Sequence, residues 1–201
     1  SYSTRSINAK STVAPKVNFV GMFGYFNGPE VNRVLFSFHR MNQLLGYAMG
    51  DIELSNIAKC SISISKPDER FVKNLKLPLN YIAIAIGGEW KYRTYEKWDK
   101  DIQSLYEIDN DLTIVLLGSK NAESSLPKLL KSGSTFNIIN CVNKYTFNQT
   151  AEIIKGAKLL ICCVGGLMHS ANAADTMIIS IFARLSPKMQ LTKSIKAETL
   201  Y

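Results

Sequence analysis

The sequence is poor in the residues that build metal and disulfide sites. It contains two histidines and four cysteines among 201 residues, and no two cysteines have the C-x-x-C spacing. A zinc site is therefore not expected. Cys162 and Cys163 are adjacent in an apolar run, where consecutive side chains of a strand point to opposite faces. We therefore predict reduced, packed thiols in a cytoplasmic protein.

Long apolar runs and two common nucleotide signatures are also missing. No segment reaches the roughly 18 consecutive apolar residues of a membrane span. The sequence has neither G-x-G-x-x-G nor the G-x-x-x-x-G-K-[ST] of a P-loop. Its net charge is +8, carried by scattered lysines and arginines without a known nucleic-acid motif. This favours an anionic membrane surface or a phosphorylated ligand, with a nucleic-acid-binding module as the remaining alternative.

What the sequence does contain is a folded core with alternating elements. A hydrophobic fraction of 46% with 20% charged residues argues against disorder. Apolar runs predict strands at 81–86, 111–117, 136–142, 159–164 and 177–182. Helical patterns lie between them at 95–105, 121–131, 146–156 and 167–174. This alternation is typical of an α/β fold with a Rossmann-like, doubly wound parallel sheet.

The first 78 residues are less regular. A short strand at 17–20 and a helix from Pro29 to about Gly46 are predicted, with His39 off the apolar stripe of that helix. CSISI at 60–64 alternates like a short strand, and Pro67 begins a short helix. We expect residues 1–50 to be the end of a preceding domain with its connecting helix. Residues 51–78 are then a linker, and 79–201 form the C-terminal α/β domain.

The stretch KLLICCVGGLMHSANAADTMIISIF, residues 158–182, is the centre of this pattern. Strand, glycine turn, helix and strand in so few residues indicate a parallel βαβ unit. Gly165 and Gly166 open the helix, and the unpaired N–H groups there suit an anion. His169, on the first helical turn, is placed to add a side chain. The alternative is that two glycines between apolar runs form an ordinary turn.

Four predicted strand ends carry residues suited to a ligand. In doubly wound sheets, ligands bind beyond the carboxyl ends of the strands. The marked ends are Gly87-Gly88 with Arg93, Gly118 with Glu123, Asn143-Lys144, and Gly165-Gly166 with His169. Glycine turns with an arginine suit a pyrophosphate, and a carboxylate suits ribose hydroxyls. We therefore predict a nucleotide or nucleotide-sugar site.

Four motifs follow one another along the predicted α/β domain: IAIAIGGEWKYRTYEKW, LTIVLLGSKNAE, NIINCVNKYTFNQTAEII and VGGLMHSANAAD. Together they resemble the pattern of the ADP-heptose:lipopolysaccharide heptosyltransferases and their relatives. Arg93 stands where the family usually has lysine, and Gly166 to His169 match the family's Gly-Leu-Met-His. The resemblance covers roughly residues 3–190.

The resemblance implies the C-terminal nucleotide-sugar-binding domain of a two-domain, GT-B type glycosyltransferase. It implies inverting transfer of a heptose-like sugar, without a metal cofactor, from ADP-heptose or another nucleotide-sugar. The acceptor would be the lipopolysaccharide core or another glycan. The protein would lie in the bacterial cytoplasm, with peripheral contact to the inner membrane. The general base belongs to the acceptor domain and is not named from this chain. The donor-binding residues that the resemblance implies are Arg93, Gly118, Glu123, Gly165, Gly166, Leu167, Met168 and His169.

Two departures from the family pattern bear on activity. Val164 replaces an aspartate of the donor-sugar site, and Gly165 replaces a serine or threonine. These changes favour a truncated or divergent member of the family. The alternatives are a catalytically inactive nucleotide-sugar-binding or scaffold relative, and a transferase with a different donor.

Overall fold

The computed structural model describes residues 61–88, 94–132 and 136–182, together with positions 32, 41, 44–46, 190 and 197–198. The chain divides into two compact units. One unit comprises Ser1–Lys59 and Leu185–Lys193, and the other comprises Cys60–Arg184 and Ser194–Tyr201. The predicted strand at 17–20 and most of the predicted helix at 29–46 lie outside the described residues. The domain boundaries predicted from the sequence remain a prediction.

A six-stranded sheet forms the centre of the second unit. Its strands are β1 (Ile82–Ala85), β2 (Thr113–Leu117), β3 (Asn137–Asn140), β4 (Leu159–Cys163), β5 (Met177–Ile181) and β6 (Ala197–Glu198). Their order is β3-β2-β1-β4-β5-β6, and every pairing is parallel. The predicted doubly wound parallel sheet is therefore confirmed. The strand order reverses between β1 and β4, which makes the crevice above that pair the topological switch point.

Within residues 61–182, one helix precedes the sheet and four connect its strands. They are α1 (Lys66–Asn74), which precedes β1, and α2 (Trp98–Ile108), α3 (Leu126–Ser132), α4 (Phe147–Gly156) and α5 (Gly166–Ala173), with a 3-10 segment at Lys120–Ser125. The sequence predicted one helix over 121–131, but the chain forms the 3-10 segment first. Pro127 explains this break, because proline lacks the N–H that an uninterrupted helix needs and is tolerated only in a first turn. The helix predicted at 95–105 instead begins at Trp98 and ends at Ile108.

The strand predicted at 60–64 is wrong over its described part. Residues 61–65 have no strand pairing, although Ile62 and Ile64 are half-buried and the serines between them are exposed. An extended chain with one side against the protein produces the same alternation as a strand. Ser65 then caps α1, since its hydroxyl accepts a hydrogen bond from the Asp68 N–H at 3.3 Å.

The two faces of the sheet are covered by different helices. Ile84 of β1 and Leu116 of β2 pack with Trp98 and Ile102 of α2 in one apolar cluster. On the opposite face, the Tyr81 hydroxyl donates to the Ile153 carbonyl of α4 at 2.5 Å. All four residues of β1 are buried, as expected for a strand covered on both sides.

The start of α4 was predicted correctly. The Thr146 hydroxyl accepts from the Gln149 N–H at 3.3 Å, and the Gln149 side chain accepts from the Thr146 N–H at 3.1 Å. This reciprocal capping box fixes the turn between β3 and α4. Among the helices that the structure describes, none is long and apolar enough to cross a membrane.

Candidate functional site

The candidate site lies at the carboxyl edge of the sheet. Because the strands are parallel, the residues after β1, β2, β3 and β4 emerge at this one edge. They include Gly87, Gly118, Asn143 and Gly165. The edge contains the switch point between β1 and β4, where ligands of doubly wound folds bind.

Two glycines let the 3-10 segment approach the ends of β1 and β2. A Cβ built on Gly87, whose φ is +91°, would lie 2.8 Å from the Ala122 Cβ. One built on Gly118 would lie 2.6 Å from both the Ala122 Cβ and the Ile86 carbonyl oxygen. Ala122 is fully buried in this position. The packing therefore places the next residue, Glu123, beside the edge.

Glu123 is held by a residue from the next loop. The Asn143 Nδ2 donates to the Glu123 Oε1 at 2.7 Å. The Asn143 N–H donates to the Gly118 carbonyl at 2.8 Å, and its φ of +54° is one that asparagine tolerates better than most residues. Both side chains are exposed. An exposed carboxylate with one oxygen held in this way is suited to accept hydrogen bonds from hydroxyl groups.

A second asparagine joins the loops after β1 and β2. The Asn121 Nδ2 donates to the Gly88 carbonyl at 2.8 Å, and the Ser119 hydroxyl donates to the Asn121 Oδ1 at 2.7 Å. Sequence reasoning missed the roles of Asn121 and of the Asn143 side chain. The available signal was the position of Asn143 after the strand predicted at 136–142, because asparagine tolerates the left-handed conformation of a turn.

The predicted glycine turn opens α5. Gly165 is its N-cap and has no side chain to accept the first N–H groups of the helix, and Gly166 is exposed. A Cβ on either glycine would approach nothing closer than 3.9 Å, the neighbour of Gly166 being the Phe147 ring. Packing therefore does not demand glycine here, unlike at Gly87 and Gly118. The N-terminal end of the helix carries about half a positive charge and suits an anion.

The remaining predicted donor residues occupy different environments. Leu167 and His169 are half-buried on the first turn of α5. Met168 is fully buried, and its sulfur accepts a hydrogen bond from the Ser180 hydroxyl at 3.3 Å. That position favours a supporting role beneath the turn over the predicted direct contact with a donor. Arg93 lies outside the described residues.

The thiols near the site are poorly suited to covalent catalysis. Burial raises the pKa of Cys141, which follows β3, and of Cys163, the last residue of β4. A thiol with a raised pKa is a weak nucleophile at neutral pH. In the part of the chain that the structure describes, no group of three or more His, Cys, Asp or Glu residues could hold a metal ion. The edge is thus built from amides, a carboxylate and a helix N-terminus, which bind hydroxyls and anions.

These features define a Rossmann-like domain whose sheet edge suits anions and hydroxyls, and comparison with known proteins specifies its family. The sequence profile of glycosyltransferase family 9 (heptosyltransferase) matches residues 29–199. The chain therefore belongs to this family. The suspected resemblance to heptosyltransferases is confirmed. A search among curated protein sequences gave no match.

Solved structures share the fold at low sequence identity. A family 9 glycosyl transferase from Veillonella parvula has 14% identity and a TM-score of 0.70, over 87% of this chain and 51% of that one. The E. coli ADP-heptose lps heptosyltransferase II has 18% identity and a TM-score of 0.58, over 70% and 44%. The E. coli heptosyltransferase WaaC with ADP has 15% identity and a TM-score of 0.57, over 85% and 50%. The chain thus spans about half the length of these structures.

Proposed function

We propose that this chain is the nucleotide-sugar-binding half of a glycosyltransferase. The transferred sugar would be a heptose or a related sugar, carried on a nucleoside diphosphate. The acceptor would be the lipopolysaccharide core or another glycan. The observation that carries this proposal is the Glu123–Asn143 hydrogen bond of 2.7 Å on one side of the switch point, with the N-terminus of α5 on the other.

The spacing of the strands that precede these two groups suits a nucleoside diphosphate. Glu123 follows β2 and Gly166 follows β4, and β1 lies between those strands. Two strand spacings amount to about 10 Å. A ribose at Glu123 would therefore leave its diphosphate within reach of the N–H groups of Gly166 and Leu167. ADP is the first nucleotide to test, because it is the ligand of the E. coli heptosyltransferase WaaC structure.

In sugar transfer, these groups would stabilise the departing nucleoside diphosphate. When an acceptor hydroxyl attacks the anomeric carbon, the departing nucleoside diphosphate gains negative charge. Backbone N–H groups already aimed at that charge stabilise the transition state without reorganising. Arg93 and His169 would add side-chain donors to the phosphates. The base that deprotonates the acceptor would come from the facing domain, and we expect no metal cofactor.

Val164 supports the alternative of an inactive relative. This half-buried residue immediately precedes the Gly165 turn, where the family pattern has an aspartate of the donor-sugar site. An isopropyl group cannot accept the hydrogen bonds of sugar hydroxyls. A chain that binds nucleotide-sugars without transferring them is therefore the second candidate, and a transferase with a different donor is the third.

Nucleotide binding is the first property to measure. Calorimetry and thermal unfolding of the 201-residue chain with ADP, UDP and GDP should reveal binding of at least one. At a hundredfold excess over Kd, binding adds about 2.7 kcal/mol to the free energy of unfolding, or roughly 5–11 °C in Tm. The corresponding nucleoside monophosphate should bind more weakly, because it presents less charge to α5. If none of the diphosphates binds, the proposal is wrong.

Transfer activity separates the candidate functions that remain. The chain is mixed with nucleotide-sugars and a lipopolysaccharide core acceptor, with and without a separately supplied acceptor domain from a family 9 enzyme. Transfer to the core supports the first candidate. Binding without transfer by the unaltered chain in every mixture supports the inactive relative, and recovery of transfer in the variant Val164→Asp would attribute the loss to Val164. We further propose that the protein lies in the cytoplasm and contacts an anionic membrane surface, which its net charge of +8 would attract.

A further inference from the structure

The loops after β2 and β3 are joined by a hydrogen bond between residues 20 positions apart. The Asn143 Nδ2 donates to the Glu123 Oε1 at 2.7 Å, at the exposed carboxyl edge of the sheet. An isolated exposed glutamate samples several rotamers, and fixing it costs conformational entropy. Here the amide selects one arrangement before any ligand arrives.

The backbone of Asn143 keeps that amide in place. Its φ is +54°, and its N–H donates to the Gly118 carbonyl at 2.8 Å. Glu123 is fixed from its own side by Ala122, which is packed against Gly87 and Gly118. Both partners of the hydrogen bond thus project from anchored backbone. A contact between side chains on two anchored loops limits the rotamers of Glu123 more than a contact between side chains on mobile loops would.

We propose that Asn143 is a positioning residue that orients the Glu123 carboxylate toward the hydroxyls of a ribose. The inference rests on the proposed function, in which the edge binds a nucleoside diphosphate. Asn143 occupies one lone pair of the Oε1 atom and leaves the other oxygen to accept from the sugar. The residue therefore sets the preference for ribose over a sugar without those hydroxyls, and it does not itself contact the phosphates.

The test compares a nucleotide with its deoxy analogue. The diphosphate among ADP, UDP and GDP that binds most tightly is titrated beside its 2′,3′-dideoxy form. A hydrogen bond to a charged group predicts that the unaltered chain prefers the ribose form by about tenfold. In Asn143→Gly the preference should fall to about threefold or less, because the carboxylate regains its rotamers. Glycine accepts a positive φ readily, so this variant keeps the turn.

Two further variants separate positioning from general disturbance. Asn143→Asp keeps the shape of the side chain but places a second carboxylate beside Glu123, and should also lose the preference. Gln103→Ala is the control, because it removes an exposed amide–carboxylate pair away from the sheet edge. The Gln103 Nε2 donates to the Glu107 Oε1 on α2 at 3.4 Å, and its loss should leave the preference for ribose unchanged.

The outcomes are distinct. A lower ratio in both Asn143 variants, with a normal ratio in Gln103→Ala, supports the inference. An equal loss of affinity for both nucleotides, or an unchanged ratio, overturns it and leaves the proposed function standing. Equal binding of both nucleotides by the unaltered chain overturns it as well. If the unaltered chain binds no diphosphate, the proposed function fails and this inference fails with it.

Discussion

Replacing Gly118 with alanine tests how closely the 3-10 segment packs on the sheet. The added Cβ would lie 2.6 Å from the Ala122 Cβ and 2.6 Å from the Ile86 carbonyl oxygen. Carbon atoms in favourable contact are about 3.5–4.0 Å apart, so the chain must move by roughly 1 Å. Neither neighbour is the end of a flexible side chain, and the backbone itself must yield.

Overpacking of this kind costs about 1–3 kcal/mol in the free energy of unfolding. For a chain of this size, that corresponds to a fall of roughly 2–12 °C in Tm. Thermal unfolding followed by far-ultraviolet circular dichroism measures the change. Gly166→Ala is the matched control, because its Cβ would be 3.9 Å from the Phe147 ring. Its Tm should stay within about 2 °C of the unaltered chain.

A second substitution tests the source of the strain. Ala122→Gly removes one of the two close neighbours of the new Cβ and leaves the Ile86 carbonyl. In combination with Gly118→Ala, it should therefore recover part of the lost stability, so that the double variant is less destabilised than the sum of the single ones. If Gly118→Ala unfolds at the same temperature as the unaltered chain, the 3-10 segment does not pack against Gly118 as closely as described.

Three other substitutions address binding, titration and capping. Arg93→Ala should weaken nucleoside diphosphate binding by about 1–3 kcal/mol, the cost of losing a hydrogen bond to a charged group; unchanged affinity by calorimetry would remove Arg93 from the site. Burial raises the pKa of the Cys162 thiol to about 12. The folded chain thus holds this proton more tightly than the unfolded chain. The stability that the protonated thiol contributes is therefore lost as the pH rises from the pKa of a free thiol towards 12. In Cys162→Ala, unfolding by denaturant should depend less steeply on pH above about 9, whereas an equal slope would contradict the assignment. Thr146→Ala should cost about 1 kcal/mol by removing the cap of α4, and Thr146→Ser, which keeps the hydroxyl, should restore it in the same denaturation assay.

The core of the fold could be predicted because buried parallel strands are nearly continuous apolar runs. Leu159–Cys163 and Met177–Ile181 follow the predicted segments within one residue at their ends. The capping box of α4 was equally visible, since Thr146 and Gln149 have the spacing it requires. The strand at 60–64 was mistaken because alternation reports one-sided burial, which does not require a strand partner.

The site was predictable where chain topology decides it and not where side chains meet. Glu123 and the Gly165-Gly166 turn follow strand ends, and parallel pairing brings those ends to one edge. The Asn143–Glu123 contact joins two separate loops, so the sequence could indicate the left-handed turn at Asn143 but not the side chain that it meets. The burial of Met168 was also hidden, because an apolar residue in a short helix is compatible with either the core or a ligand contact.

The fit of Ala122 between Gly87 and Gly118 limits how this edge can diverge. The Ala122 Cβ lies within 2.8 Å of the position that a Cβ would take on either glycine, so a larger side chain at position 122 is expected to crowd the ends of β1 and β2. Substitutions at these three positions are consequently expected to arise in concert. These three residues are therefore expected to change as one unit, whereas the exposed residues around them can be replaced one at a time.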